Sequence, residues 1–205
     1  MEIIKYDKMD NSKLIKLPVS SFKYIVIHHA KAKKASPDDI YQWHVIGNGW
    51  SNPAYAEYIT KDGTVYFMRG FAQQSANKGY NRTSYNICLE GDFDKELPTK
   101  KQLNALAERT KKIMKTINID HNNVKKHVDF GNTASCPGVK FPWEQFIDSI
   151  LSVNWVSWDV VIRKVSTNPD SWIKAINTIE KVSKLGIFKE FKYLKLLIEK
   201  IYNNK

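Results

Sequence analysis

The 205-residue chain predicts a mixed α/β domain over roughly the first 150 residues, followed by a small all-α module. Two observations carry that reading. Up to about residue 153, branched apolar runs of strand length are interleaved with capped, helix-periodic stripes, the pattern of a sheet packed with helices. From Asn154 onward the only glycine is Gly186, and lysines alternate with apolar residues at helical spacing. We therefore divide the chain into residues 1–153 and a helical module over 154–205. At 42% hydrophobic and 12% aromatic residues, the composition supports a packed core and excludes global disorder.

The elements follow in order. Lys23–His28 is a short run of branched apolar residues ending on the pair His28-His29, which reads as a buried strand. After a lysine-rich loop, Ser36-Pro37-Asp38-Asp39 opens a helix: serine caps it, proline takes its first turn, and carboxylates sit at its positive end. Ile40, Trp43 and His44 lie on that helix, which Gly47-Asn48-Gly49 stops. Tyr55–Thr60 and Thr64–Met68 flank a Lys61-Asp62-Gly63 turn and predict a hairpin. Ser84–Glu90 is a further strand. Thr99 and Gln102 form a capping box ahead of Leu103, Leu106, Ile113 and Ile117 on one helical stripe. A last helix of the first domain runs from about Pro142 to Val153. In the tail, Asn168-Pro169-Asp170 caps a helix bearing Trp172, Ile176, Ile179 and Val182, and a second stripe follows Gly186.

Charge and composition narrow the function classes. The formal net charge is +11, and 28 of the 32 basic residues are lysine, with arginine only at positions 69, 82, 109 and 163. Lysine is a flexible, strongly hydrated point charge, whereas arginine supplies the rigid fork that reads bases and phosphates. The balance suits diffuse attraction to a polyanion and gives no support for a nucleic-acid partner. No apolar run approaches the roughly 18–20 residues of a transmembrane helix, so an integral membrane protein is not expected. The first residues lack a charged-then-apolar signal, so we expect synthesis without a standard export signal. Two cysteines, Cys88 and Cys136, are too few for a disulfide scaffold.

Three residues have the chemistry of a zinc site: His28 at a strand end, His127, and Cys136. Zinc takes imidazole nitrogen and thiolate sulfur, and catalytic sites use three protein ligands with a fourth position left for water. The eight residues between His127 and Cys136 include glycine and asparagine, so the chain can fold back on itself.

Five motifs then occur in one order: Tyr24-Ile-Val-Ile-His-His-Ala30; Trp43-His44 with Gly49-Trp50; Ala54-Tyr55 leading into Asp62-Gly63-Thr64-Val65; Ile87-Cys-Leu-Glu-Gly-Asp-Phe93; and His127 with Cys136-Pro137-Gly138. In this the chain resembles the zinc-dependent N-acetylmuramoyl-L-alanine amidases of the amidase-2 family, which includes phage lysis enzymes and peptidoglycan recognition proteins. The resemblance implies a mixed central β-sheet flanked by helices, one zinc ion held by His28, His127 and Cys136, and bacterial peptidoglycan as substrate. The reaction implied is hydrolysis of the amide joining N-acetylmuramic acid to L-alanine, by water activated on the metal.

By the same resemblance Tyr55 falls on the family's active-site tyrosine, a donor to the forming oxyanion; Thr133, whose place the family pattern does not assign, is a second candidate donor on the chemistry of its hydroxyl. Glu90 is the expected proton carrier, standing two residues beyond Cys88, where many relatives have glutamate. Lysine is found in some relatives where this chain has Ala134. His44 and Trp50 are expected to line the substrate groove, and His29 to be a groove-wall group or a support behind the metal ligands rather than a ligand itself. The competing reading is a protein that recognises muropeptide without cutting it; such relatives usually lack the cysteine ligand, which here is present. A phage-type lysis enzyme would be made in the host bacterial cytoplasm and act on the wall after release. The tail carries ten basic residues against five acids, which suits binding of anionic cell-wall polymers and equally suits a solvated helical face or homo-oligomer formation through its helices.

Overall fold

The computed structural model describes residues 2–131 and 133–151. The expected tail helices and their wall-binding or self-association role lie outside the described residues. Within them, six strands form one sheet: β1 (Ile3–Lys5), β2 (Tyr24–His29), β3 (Glu57–Ile59), β4 (Val65–Phe67), β5 (Ser84–Leu89) and β6 (Val124–Lys126), in the order β1-β4-β3-β5-β2-β6. Only the β3–β4 hairpin is antiparallel; every other neighbouring pair is parallel. The mixed sheet is therefore as expected, and the two longest strands, β2 and β5, lie side by side near its centre. All six residues of β5 and five of six in β2 are buried, as befits strands covered on both faces.

Helix α1 (Pro37–Tyr41) starts at the predicted place: Asp39 N–H donates to Ser36 Oγ at 3.2 Å, and Ser36 N–H to Asp39 Oδ2 at 2.8 Å. It passes into a π-helical turn over Gln42–Gly47. Helix α2 (Lys100–Ile117) has the reciprocal Thr99–Gln102 capping box, with both bonds at 3.1 Å, and ends at Asn118 in a left-handed conformation (φ +56°). Helix α3 (Trp143–Leu151) matches the last predicted helix of the domain.

Helices α2 and α3 cover one sheet face. Leu106, Ile113, Ile117, Phe146 and Ile150 pack there on Ile25, Ile27, Tyr85, Ile87 and Leu89. A charged pair is buried in this layer: Arg109 of α2 donates through Nε (2.8 Å) and Nη2 to Glu57 of β3, whose Oε1 also accepts the Tyr85 hydroxyl at 2.6 Å. The other face carries a smaller cluster of Tyr6, Met9, Ala35, Ile40, Tyr58, Met68 and Cys88. Among the described residues no helix is long and apolar enough to cross a membrane.

Two strands were not anticipated. β1 and β6 are three-residue edge strands with sequences Ile-Ile-Lys and Val-Lys-Lys, too short and too charged for a periodic signal. The hairpin strands are shorter than predicted, and Tyr55 lies in the loop just before β3.

Candidate metal centre

Side chains alternate across a sheet, so the consecutive His28 and His29 point to opposite faces. β2 and β5 pair with His28 opposite Cys88, and His28 lies on the face away from α2 and α3, at the carboxyl end of its strand. Ligand sites of parallel sheets favour that end. β6 pairs along the other edge of β2 and delivers His127 as the first residue of a tight helical turn, His127–Phe130. Beyond the turn, Val128 N–H donates to Cys136 O at 2.9 Å and folds the loop back. One ring nitrogen from each of His28 and His127 and the Cys136 sulfur lie within 4.8 Å of one another. The two imidazole centroids are 4.3 Å apart, and Cys136 Sγ is 3.8 Å from His28 Nδ1.

The donor set fits zinc on several grounds. Asn86 Nδ2 donates to Ser84 O and Oγ at 3.2 and 3.0 Å, so its Oδ1 faces His28 Nε2, 2.8 Å away. An amide oxygen only accepts; Nε2 therefore carries the proton, and the Nδ1 lone pair is left toward Cys136. His127 Nε2 is buried with no hydrogen-bond partner, a costly state that a cation would relieve. Burial, and then the neighbouring His127, pull His28 down to about 3, so it is the neutral form that ligation requires. Burial pushes the Cys136 thiol up to about 12, partly opposed by the His29 backbone N–H. Such a thiol keeps its proton at neutral pH until a bound metal displaces it. Cys88 and Cys136 are both free and buried, so no disulfide competes for the sulfur.

A row of rings leads outward from this cluster. Tyr55 lies 5.4 Å from His28, His44 5.5 Å from Tyr55, and Trp50 5.0 Å from His44, centroid to centroid. Trp50 is 39% exposed, so the row runs from the buried ligands to the surface. Burial, then the nearby Cys88 and Cys136, push the Tyr55 phenol well above its ordinary value. It is therefore a neutral donor across the physiological range. His44 Nδ1 accepts the Ala54 N–H at 3.2 Å, which puts its own proton on Nε2. Burial, then Arg69, lower His44 to about 4. Arg69 in turn cradles the loop ahead of Tyr55, donating to Pro53 O, to Asn52 O at 2.9 Å and to Gln73 O at 2.8 Å.

The other expected site residues have different surroundings. His29 is buried on the α2 face, where its Nδ1 accepts the Phe93 N–H at 3.0 Å and its ring lies against Phe93, so the groove-lining role does not match its position. Both carboxylate oxygens of Glu90 are engaged by main chain: Oε1 accepts Ala35 N–H at 3.3 Å and Oε2 accepts Lys61 N–H at 2.9 Å. It ties two loops to the end of β5, and the free carboxylate expected for proton transfer is not what this arrangement provides. Thr133 is half-buried in the loop ahead of Cys136, and Ala134 beside it is exposed. Sequence reasoning missed Asn86 and Arg69. The signal for Asn86 was an amide inside an otherwise buried strand; its partner was invisible without the strand register.

Two imidazoles and a thiol gathered at the carboxyl edge of a mixed sheet define a zinc-hydrolase type of centre. The chain belongs to the Amidase_2 family, N-acetylmuramoyl-L-alanine amidase, which it matches over residues 18–139. It is 35% identical over 105 residues to peptidoglycan-recognition protein LE of Drosophila melanogaster, covering 47% of this chain and 30% of that protein. To the endolysin of Klebsiella phage KP32 it is 42% identical over 71 residues, 32% of this chain and 46% of the endolysin. The matched stretch thus spans less than half of either curated relative. Among solved structures, the endolysin N-acetylmuramoyl-L-alanine amidase LysCS from Clostridium intestinale URNW superposes with a TM-score of 0.62 at 30% identity, over 71% of this chain and 92% of that one. His28, His127 and Cys136 are the zinc site typical of this family.

Proposed function

We propose that the chain is an endolysin-type peptidoglycan hydrolase that cleaves the amide between N-acetylmuramic acid and the L-alanine of the stem peptide. The observation that carries this is the His28–His127–Cys136 cluster, complete with its cysteine, in a member of the amidase family. Zinc, when bound there, supplies Lewis acidity and lowers the pKa of water toward about 7. His28, oriented by Asn86, and His127 hold it as neutral ligands, and Cys136 holds it as thiolate. Tyr55 donates its phenolic hydrogen bond to the oxyanion that develops as the amide carbonyl becomes tetrahedral; its neutrality and its place beside His28 support this role. Thr133 is the second candidate donor.

His44, Trp50 and the half-exposed Trp43 offer aromatic faces suited to sugar rings, and His44 presents an Nε2–H donor fixed by Ala54. The proton carrier that serves the leaving nitrogen is the open role, for which Glu90 would first have to release its two main-chain amides. Endolysin relatives support action on the wall after release from the cell that makes the protein. Attraction of anionic wall polymers to the lysine-rich tail, or self-association through it, is part of the same proposal; deleting residues 154–205 should weaken wall binding.

The test is digestion of purified peptidoglycan. New L-alanine amino termini that vanish with a zinc chelator and return with zinc support the amidase. Zinc binding without new termini would replace it with the recognition reading.

A further inference from the structure

Cys136 is the one ligand that no strand or helix carries, so something else must set its position. We infer that Asp94 is a positioning residue for Cys136, clamping the ligand loop onto the segment that follows β5; this rests on the metal reading above. Asp94 Oδ2 accepts the Ser135 hydroxyl at 2.9 Å and Oδ1 accepts the Val139 N–H at 3.1 Å, one bond on each side of the ligand. Beside it, Lys140 N–H donates to Phe93 O at 2.8 Å. The approach is as close as backbone allows: a Cβ at Gly138, whose φ is +111°, would lie 2.4 Å from the Phe93 carbonyl carbon and 2.8 Å from Asp94 N. The clamp is itself anchored to β2, because Phe93 N–H donates to His29 Nδ1 at 3.0 Å. His29 thus reaches the metal centre indirectly, through Phe93 and the loop. Ser135 and Val139 lie outside regular structure, so without Asp94 the loop retains the Phe93 and Val128 main-chain bonds but loses the pair that brackets the sulfur.

Outer residues that orient metal ligands are commonly worth about 10–100-fold in affinity. The experiment uses the full chain and measures zinc affinity by competition with a chromophoric chelator, together with the cobalt-to-thiolate charge-transfer band of the cobalt-loaded protein. Asp94→Ala should bind zinc about 10–100-fold more weakly and shift or lose that band. Asp94→Asn, whose oxygen still accepts Val139 N–H and whose amide can donate to Ser135 Oγ, should recover affinity to within about threefold. Thr99→Ala, which removes a helix cap far from the loop in sequence, controls for general destabilisation and should leave both readouts unchanged. Asp94→Ala with unaltered affinity and band, or an equal loss in Thr99→Ala, would overturn the clamp while leaving the metal site standing. A wild-type chain that binds no zinc would overturn the metal reading and the clamp with it.

Discussion

Removing the Tyr55 hydroxyl is the sharpest test of the proposed chemistry. Tyr55→Phe keeps the ring that packs 5.4 Å from His28 and 5.5 Å from His44, so the row of rings and the metal ligands stay in place. It deletes one hydroxyl near Cys88, and the loss of a hydroxyl of this kind costs a fold at most about 0.5–1.5 kcal/mol. For a domain of this size that lowers Tm by roughly 1–6 °C. The effect on catalysis should be much larger. A single oxyanion donor is worth about 2.7–4 kcal/mol, so kcat should fall about 100- to 1000-fold. KM and zinc content should change little, because the bond is made fully only as the carbonyl oxygen acquires charge. The assay is release of L-alanine amino termini from soluble muropeptide at saturating substrate, with zinc quantified in the same samples. A kcat within about tenfold of wild type, at full zinc content, would refute the donor role.

Three further outcomes follow from the contacts. Glu90→Gln leaves one of the Ala35 and Lys61 N–H groups facing an NH2, so stability should drop by about 1–3 kcal/mol in urea titration with turnover nearly unchanged; a hundredfold loss of turnover at unchanged stability would restore Glu90 as the proton carrier. Arg109→Met strands the Glu57 carboxylate in the α2 layer and should cost roughly 3–5 kcal/mol, read as a Tm lower by about 6–20 °C; a Tm within two degrees, roughly, would show the pair to be dispensable. Burial holds folded His44 at about 4, while the unfolded chain titrates near 6.5. The unfolded state therefore binds the extra proton first, and the stability due to neutral His44 is full above about pH 6.5, falls by up to about 1.36 kcal/mol per unit down to about pH 4, and is flat below. Urea midpoints of wild type and His44→Gln, compared at equal zinc from pH 7 to 4.5, should converge as the pH falls; parallel curves would mean that His44 titrates alike in both states.

Much of the domain was legible because its signals are local. The capping boxes at Ser36/Asp39 and Thr99/Gln102 depend on residues three apart, and the branched run of β2 reports its own burial. The ligands were legible through resemblance: of five histidines and two cysteines, His28, His127 and Cys136 are the ones that fall on the ligand positions in the ordered motifs of one family. What remained hidden was pairing between distant segments. β1 and β6 exist only because partner strands complete their hydrogen bonds, and neither is long enough to show a period.

The same division separates the site's ligands from its support. Residue type and order along the chain, through the resemblance they carry to one family, pointed to a zinc-hydrolase type of centre and to the three side chains that would build it. Tertiary structure decided what each neighbour does. The pleat turned His29 to the opposite face from His28; the β2–β5 register set Asn86 against His28; and loop docking gave Glu90 to main-chain amides and Asp94 to the Cys136 loop. The physical reason is range. A zinc ligand is chosen by the chemistry of its own atoms, whereas a carboxylate or amide is a base, a clamp or a strap according to which donors the fold brings within about 3 Å.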